Sequence, residues 1–325
     1  MFNKNLLLAD LLEEMCFTDA ARGLTERSVK KNTVALKMFF RFVDSGHGVQ
    51  YLHEVTPKHI REFMLYKYQS GCKESYVNGF LKSLRAFFVF CEGEEYITPL
   101  TNPCLRVKWM KQEKPMIDSF SSDDLLKLLN YSKSQTRKYY SKGRGSASWF
   151  FAERDLLMLL LFADTGMRLF ELCNLKDSDF RDNGIRIYGK GKKVRYVYCS
   201  APVMKQKIKY NRAKSRYFEQ AGVRCEDFIF LSKIGKKWTS DIIERNIKTL
   251  AKEAGCDMSI RWSPHTFRHY FTQQQVQNGA DLFTLQRLLG HSSVKVTEEY
   301  LRSLKSEIIL QRGLETSPLN MLDFK

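Results

Sequence analysis

No two of the eight cysteines in this chain (Cys16, Cys72, Cys91, Cys104, Cys173, Cys199, Cys225 and Cys256) form a Cys-x-x-Cys pair. That excludes the usual zinc spacings and a compact disulfide framework, and free thiols in a reducing compartment are expected. Long hydrophobic runs are missing too: the apolar stretch after Leu156 breaks at Thr165-Gly166, too short to span a bilayer. The apolar patch in residues 1–12 is interrupted by Asp10 and too brief for an export signal, so a cytoplasmic location with no membrane partner is expected. No internal repeat is visible. Acid is in deficit: 53 Lys and Arg stand against 36 Asp and Glu, a formal charge of +17, with a pI near 9.4. Such a chain attracts polyanions and should bind them in a strongly salt-dependent way.

The positive charge is clustered. Lys133, Arg137, Lys138, Lys142 and Arg144 occur with no acid among them, interleaved with Tyr139 and Tyr140. Lys205, Lys207, Lys209, Arg212, Lys214 and Arg216 form a second run. Both suit phosphate tracking, although charge alone does not separate DNA binding from a solvated helix face or an RNA surface.

A length of 325 residues permits two domains, each with its own core. Residues 106–115 are polar, basic and without helical periodicity, a linker signature that includes Lys108 and Lys111 as candidate DNA-backbone contacts. The boundaries expected are a helical domain over 1–109 with an uninterpreted extension at 1–24, a linker over 110–119, and a second domain over 120–325 whose tail is 302–325.

In the first domain, a helix over 28–44 carries Val34, Met38, Phe39, Phe42 and Val43 on an apolar face. Thr56-Pro57 caps a second, with Ile60, Phe63, Met64 and Tyr68 inward. Ser75 precedes a third with Val77, Phe80, Leu81, Leu84, Phe87 and Phe88. His47, His53 and His59 show no site-like grouping and read as structural or exposed. The second domain begins at a cap signature, Ser121-Ser122-Asp123-Asp124, ahead of Leu125, Leu126, Leu128 and Leu129. It reads as mostly helix with one small sheet near 185–199.

Chemistry concentrates toward the C-terminus. Ser263-Pro264 suits an N-cap and first helical position, so His265 and Arg268, three apart, should share a helix face and grip one phosphate. Asp281 caps a following helix with Leu282, Leu285, Leu288 and Leu289, which Gly290 stops, placing His291 just past its end. Tyr300 lies on the next short element. Taken singly, each of these positions reads as packing or surface; their conjunction does not.

Upstream, the break at Thr165-Gly166 puts Arg168 at a helix start, where free N–H groups and the helix dipole would add to its guanidinium in binding an anion. Glu171, three residues on, is placed to hold Arg168. Residues 185–199 alternate around Gly189-Lys190-Gly191-Lys192-Lys193, a β-hairpin with a basic tip.

In that order, these residues make the chain resemble the tyrosine recombinases, the lambda integrase type of site-specific DNA recombinase. Thr165-Gly166-Met167-Arg168-Leu169-Phe170-Glu171-Leu172 is similar to the family's first arginine box and His265-Thr266-Phe267-Arg268-His269 to its His-x-x-Arg box. Leu288-Leu289-Gly290-His291-Ser292-Ser293 with Tyr300 is similar to the closing box, and Lys190 matches the hairpin lysine. Thr266 and Phe267 depart from the more usual acidic and leucine residues, and Gln273 to Gln275 replace small ones.

The resemblance implies a mainly α fold with a small antiparallel sheet: an N-terminal helical, SAM-like core-binding domain followed by an α+β catalytic domain. It implies the catalytic set Arg168, Lys190, His265, Arg268, His291 and Tyr300. It also implies a 3′-phosphotyrosine bond, a free 5′ hydroxyl and strand exchange through a four-way junction. The partners implied are double-stranded DNA target sites, further copies of this chain assembled as a tetramer on DNA, and accessory DNA-bending or directionality proteins. Integration or excision of a phage or other mobile element is the expected setting.

Elementary chemistry asks for the same residue types. Breaking and rejoining DNA without an external energy source needs a covalent intermediate, and a tyrosine oxygen can form it. Tyr300 is the nucleophile candidate, with His265 as general base or hydrogen-bond partner of the phosphate. Arg168 and Arg268 would stabilise charge on the nonbridging oxygens, His291 adding a donor. The departing 5′ oxygen needs a general acid, for which Lys190 is the first candidate and Lys192 and Lys193 the next; the last two also count as DNA-backbone candidates. No metal and no cofactor is required. A type IB topoisomerase-like strand transferase and a catalytically silent DNA-binding relative are the alternatives.

Overall fold

A computed structural model describes residues 6–112, 119–181, 184–189 and 194–290. The chain divides into two compact units, Met1–Pro115 and Met116–Lys325.

In the first unit four helices share a core: α1 (Leu8–Ala21), α2 (Glu26–His47), α3 (Pro57–Gln69) and α4 (Glu74–Gly93). The residues from 8 to 21 are not an uninterpreted extension. Leu8, Leu11, Leu12 and Met15 of α1 are buried with Phe39, Phe63, Leu84 and Phe88. Sequence gave little warning, because Leu7 at the N-cap offers no side-chain acceptor. A backbone bridge to Tyr51 and the bond from Leu8 N–H to Gln50 O (2.9 Å) start the helix instead.

On α2 the buried face is Leu36, Phe39 and Val43, with Met38 and Phe42 at its border. Val34 lies roughly opposite Leu36 at 100° per residue, and it is 51% exposed. Ile60, Phe63 and Met64 of α3 are buried as expected, but Tyr68 falls in a last turn that has run past the core and is exposed. The predicted core residues of α4 are all buried, although its N-cap is Lys73 and Ser75 lies inside the helix.

After α4 the chain stays attached to this unit. Asn78 exchanges two hydrogen bonds with the backbone of Met110 (3.0 and 2.9 Å), Arg85 Nη2 donates to Val107 O (2.8 Å), and the Arg85 guanidinium stacks 4.3 Å from the Trp109 ring centroid.

The second unit is built around α6 (Ala147–Thr165), whose residues are buried nearly all round, as an apolar helix at the centre of a domain must be. Packed on it are α5 (Ser122–Lys142), α8 (Ala201–Ala221) and α10 (Pro264–Gln277). α9 (Ser240–Glu253) rests on α5 and on the short α7 (Leu169–Cys173), and α11 (Leu282–Leu289) on α10. Ser121 caps α5 by accepting Asp124 N–H; Leu125 and Leu128 are buried, while Leu126 is exposed.

The sheet is antiparallel in the order β1 (Phe180–Arg181), β2 (Gly184–Tyr188), β3 (Val194–Val197). The β2–β3 hairpin is the one expected from alternation, with Ile185 opposite Val197 and Ile187 opposite Arg195. β1 is an additional two-residue strand, too short to carry a periodic signal. Among the described residues no helix is long and apolar enough to cross a membrane, and no group of three or more His, Cys, Asp or Glu is placed to hold a metal. All eight cysteines are free.

Candidate active site

The site starts at the C-terminus of α6. Gly166 ends the helix with φ +57, and a Cβ there would sit 2.5 Å from Cδ1 of Phe271, so both the backbone and the space call for glycine. The chain turns into α7 with Arg168 at its N-cap. Glu171 reaches back: Oε2 accepts the Arg168 backbone N–H (2.7 Å) and Oε1 accepts Arg168 Nη1 (3.0 Å). The contact expected from the i,i+3 spacing is therefore present. The expected contribution of free helix N–H groups is not: α7 has only five residues, and Glu171 takes the N–H of Arg168. The guanidinium itself stays accessible, 38% exposed.

α10 begins as its sequence demands, Ser263 capping and Pro264 in the first turn. Arg268 points into the protein. Its Nη1 donates to Gly166 O (2.7 Å) and its Nη2 to Leu289 O (2.6 Å). His265, one turn earlier, lies at the surface. Partial burial of the ring, then the positive charges of Arg268, Arg261 and Arg168, hold the His265 imidazole below its ordinary pKa against the pull of Glu244. Arg168, His265 and Arg268 thus form one site, the accessible guanidinium and imidazole in front and the buried guanidinium behind. His269 is pushed down to about 4 by burial, His265 and Arg268.

α11 delivers its C-terminus to this place. Asp281 caps it through Phe283 N–H and Thr284 N–H (2.9 and 3.0 Å), and Gly290 closes it at φ +63. Its last carbonyls have no partner within the helix, and three successive ones accept from three different arginines. Leu288 O takes Arg195 Nε (3.0 Å), Leu289 O takes Arg268 Nη2 (2.6 Å), and Gly290 O takes Arg168 Nη2 (3.3 Å). Guanidiniums at the negative end of a helix dipole are favourably placed. Arg195 also grips Glu171 with both prongs, Nη1 to Oε1 at 2.6 Å and Nη2 to Oε2 at 2.7 Å. Burial alone would raise the Glu171 pKa, but Arg195, followed by the N–H and charge of Arg168, outweighs it and holds the group ionised.

Sequence reasoning passed over Arg195. The available signal was its register: Val194 and Tyr196 are exposed on β3 while residue 195 turns inward, where an arginine demands a partner.

Lys190, Lys192, Lys193, His291 and Tyr300 lie outside the described residues. Of the other DNA-backbone candidates, Lys108, Lys111, Lys133, Arg137, Lys138, Lys142 and Arg144 are all exposed. The run along α8 is partly engaged at home, since Asp177 holds Lys207 Nζ at 2.8 Å and Lys214 Nζ at 3.3 Å.

The positions that depart from the family pattern are structural here. Phe267 is fully buried beside Phe120, Gln273 accepts from Ser119, and Gln275 donates to the Tyr198 hydroxyl (3.0 Å). In the first unit His47 and His59 adjoin, without making a metal-holding group among the described residues. Their rings lie 4.7 Å apart, with His47 Nε2 3.1 Å from Glu62 Oε2. The end of α2 and the start of α3 bring them together, which sequence spacing did not reveal.

The sequence model of the phage integrase family matches residues 120–307. Over 302 residues the chain is 28% identical to the tyrosine recombinase XerD of Listeria monocytogenes serotype 4b (strain F2365), covering 91% of this chain and 95% of that one. It is 27% identical over 311 residues to the tyrosine recombinase XerC of Bacillus pumilus (strain SAFR-032), covering 95% of each. Among solved structures, the XerH site-specific recombinase bound to palindromic difH in a post-cleavage complex aligns with a TM-score of 0.70 at 21% identity, over 93% of this chain and 83% of that one. The Tn1549 transposon integrase in complex with transposon right-end DNA aligns at 0.69 and 16% identity, over 96% and 100%.

Proposed function

This chain belongs to the phage integrase family and is a tyrosine site-specific recombinase that breaks and rejoins DNA, and on that premise we propose a role for each of its site residues. Tyr300 Oη attacks the scissile phosphorus and displaces the 5′ oxygen, leaving a 3′-phosphotyrosine and a free 5′ hydroxyl. A phenol is mostly protonated near neutral pH, so its proton must pass to a base. His265, kept neutral by its surroundings, is suited to take it or to bond the phosphate. Arg168 offers its accessible fork to the nonbridging oxygens, Arg268 adds positive charge from behind, and His291 supplies a further donor. Lys190 protonates the departing 5′ oxygen. Religation reverses each transfer.

One observation carries this reading. Arg168 converges with His265 and Arg268, about a hundred residues further on, at the end of α11, so that His291 is the very next residue after the carbonyls the arginines hold.

The first unit serves as the core-binding domain and residues 110–119 as the linker between the units. A groove between α2 and α4 lined by Arg27, Lys30, Lys31, Val34, Tyr76 and Phe80 suits a duplex by combining cations with apolar contact area. It also gives the exposed Val34 a use. In the second unit Lys133, Arg137, Lys138, Lys142 and Arg144 contact the backbone. Four copies act together on paired sites in the cytoplasm, with residues 302–325 docking on a neighbouring protomer; deletion of residues 313–325 should weaken synapsis. Insertion or excision of a mobile element is the reaction served.

Expressing wild type and Tyr300→Phe in cells, recovering covalent protein–DNA adducts under denaturing conditions and sequencing the attached DNA tests the core of this proposal. Adducts confined to wild type, at a few sites with inverted repeats about a short spacer, are expected. Equal recovery from both proteins would remove Tyr300 as nucleophile. On the recovered site, Lys190→Ala should be nearly inactive but rescued when the leaving 5′ oxygen is replaced by sulfur, since a thiolate departs unprotonated. Without rescue, the acid is another group.

A further inference from the structure

Arg195 spends its three nitrogens on groups of the protein itself. Its side chain is 11% exposed, against 38% for Arg168, so it presents no fork to a phosphate. Each of its three nitrogens has a partner: Nη1 and Nη2 meet the two oxygens of Glu171, and Nε meets Leu288 O. Glu171, 2% exposed at its side chain, carries both guanidiniums on one carboxylate, with Oε1 shared between Arg195 Nη1 and Arg168 Nη1. A parallel two-bond fork fixes the plane of a carboxylate as well as its position, which a single ammonium cannot do. Glu171 in turn fixes Arg168 at both its N–H and its guanidinium.

We propose that Arg195 is a positioning residue for DNA cleavage: through Glu171 it sets the direction of the Arg168 guanidinium, and through Leu288 O it fixes the end of α11, whose Gly290 O holds the same guanidinium. Arg195 lies on β3, so one side chain ties the start of α7 and the end of α11 to the sheet. The inference rests on the assignment of Arg168 to the scissile phosphate.

The test uses single-turnover cleavage of a duplex bearing the site recovered from the Tyr300 adducts, with full-length wild type, Arg195→Ala, Arg195→Lys, Arg168→Ala and the double variant Arg168→Ala/Arg195→Ala. Misplacing a catalytic group by about 1 Å costs on the order of 100-fold. A loss of that size is therefore expected for Arg195→Ala, with DNA affinity and its salt slope unchanged, since Arg195 makes no phosphate contact. The double variant should cleave no more slowly than Arg168→Ala alone, because both changes remove the same aligned guanidinium. Arg195→Lys keeps the charge and loses the fork; it should fold like wild type and still be impaired, and it carries the test if the alanine variant does not fold.

Wild-type cleavage by both Arg195 variants, or losses that multiply in the double variant, would overturn the proposal. Wild-type cleavage by Arg168→Ala would instead overturn the assignment of Arg168 on which it rests.

Discussion

Gly290 and Arg195 occupy space that a single added carbon would contest: a Cβ on Gly290 would stand 2.7 Å from Arg195 Cδ and 3.1 Å from its Nε. Gly290 also holds φ +63, a conformation that costs other L residues roughly 1 to 2 kcal/mol. Gly290→Ala is therefore expected to lower cleavage at least tenfold while a cooperative thermal transition survives at reduced temperature. A variant that cleaves at the wild-type rate would show that the end of α11 tolerates displacement.

The depressed pKa of His265 sets a pH profile. Its partial burial and the charges of Arg268, Arg261 and Arg168 hold it below the ordinary imidazole pKa, so less than half of it is charged at the pH where a free imidazole is half protonated. On acidification from pH 8, the ratio of wild-type to His265→Gln cleavage should reach its midpoint only below about pH 6.5. A ratio already halved at pH 6.5 would mean that the imidazole is charged there.

His269 makes a separate contribution, to stability. Its folded-state pKa is about 4, whereas the unfolded chain titrates near the ordinary 6.5. Between those values the unfolded state binds the extra proton, so stability falls as pH drops from 6.5 toward 4 and the loss saturates below that. Urea midpoints measured across that range should decline less steeply for His269→Gln than for wild type. Parallel slopes would show that His269 is not held neutral.

Asp177 divides the basic surface into two classes. Lys207 and Lys214 are paired with it, whereas Lys133 and Arg137 on α5 face solvent. Each phosphate contact contributes about 0.9 to the slope of log affinity against log salt. Changing Lys133 and Arg137 to Gln should flatten that slope, and changing Lys207 and Lys214 should leave it nearly intact. Equal flattening would mean that DNA displaces Asp177 from its lysines.

Local chemistry is what the sequence disclosed well. Ser263-Pro264, Asp281, Gly290 and Thr56-Pro57 each mark a helix end through an interaction made within a few residues, and each is where it was expected. Of the candidate catalytic positions, His265 and Arg268 were placed together on one helix by their spacing, and the meeting of both with Arg168 was legible only through the family resemblance. Arg195 was not legible because its partners stand 24 and 93 positions away. Helix α1 escaped for a different reason: it lacks a capping side chain and takes its start from backbone bonds to residues near 51. The pairing of His47 with His59 likewise depends on how two helix ends meet.

The thiols also differ among themselves. Cys91 and Cys104 are buried, with their pKa values pushed up to about 12, and Cys173 and Cys256 are buried as well, whereas Cys225 is exposed. A maleimide fluorophore offered briefly near neutral pH would find Cys225 the most open of the eight. Because Cys225 follows α8 and its thiol bonds only Val223 O, a dye there would report binding or assembly while leaving Arg168, Arg195 and Arg268 unaltered.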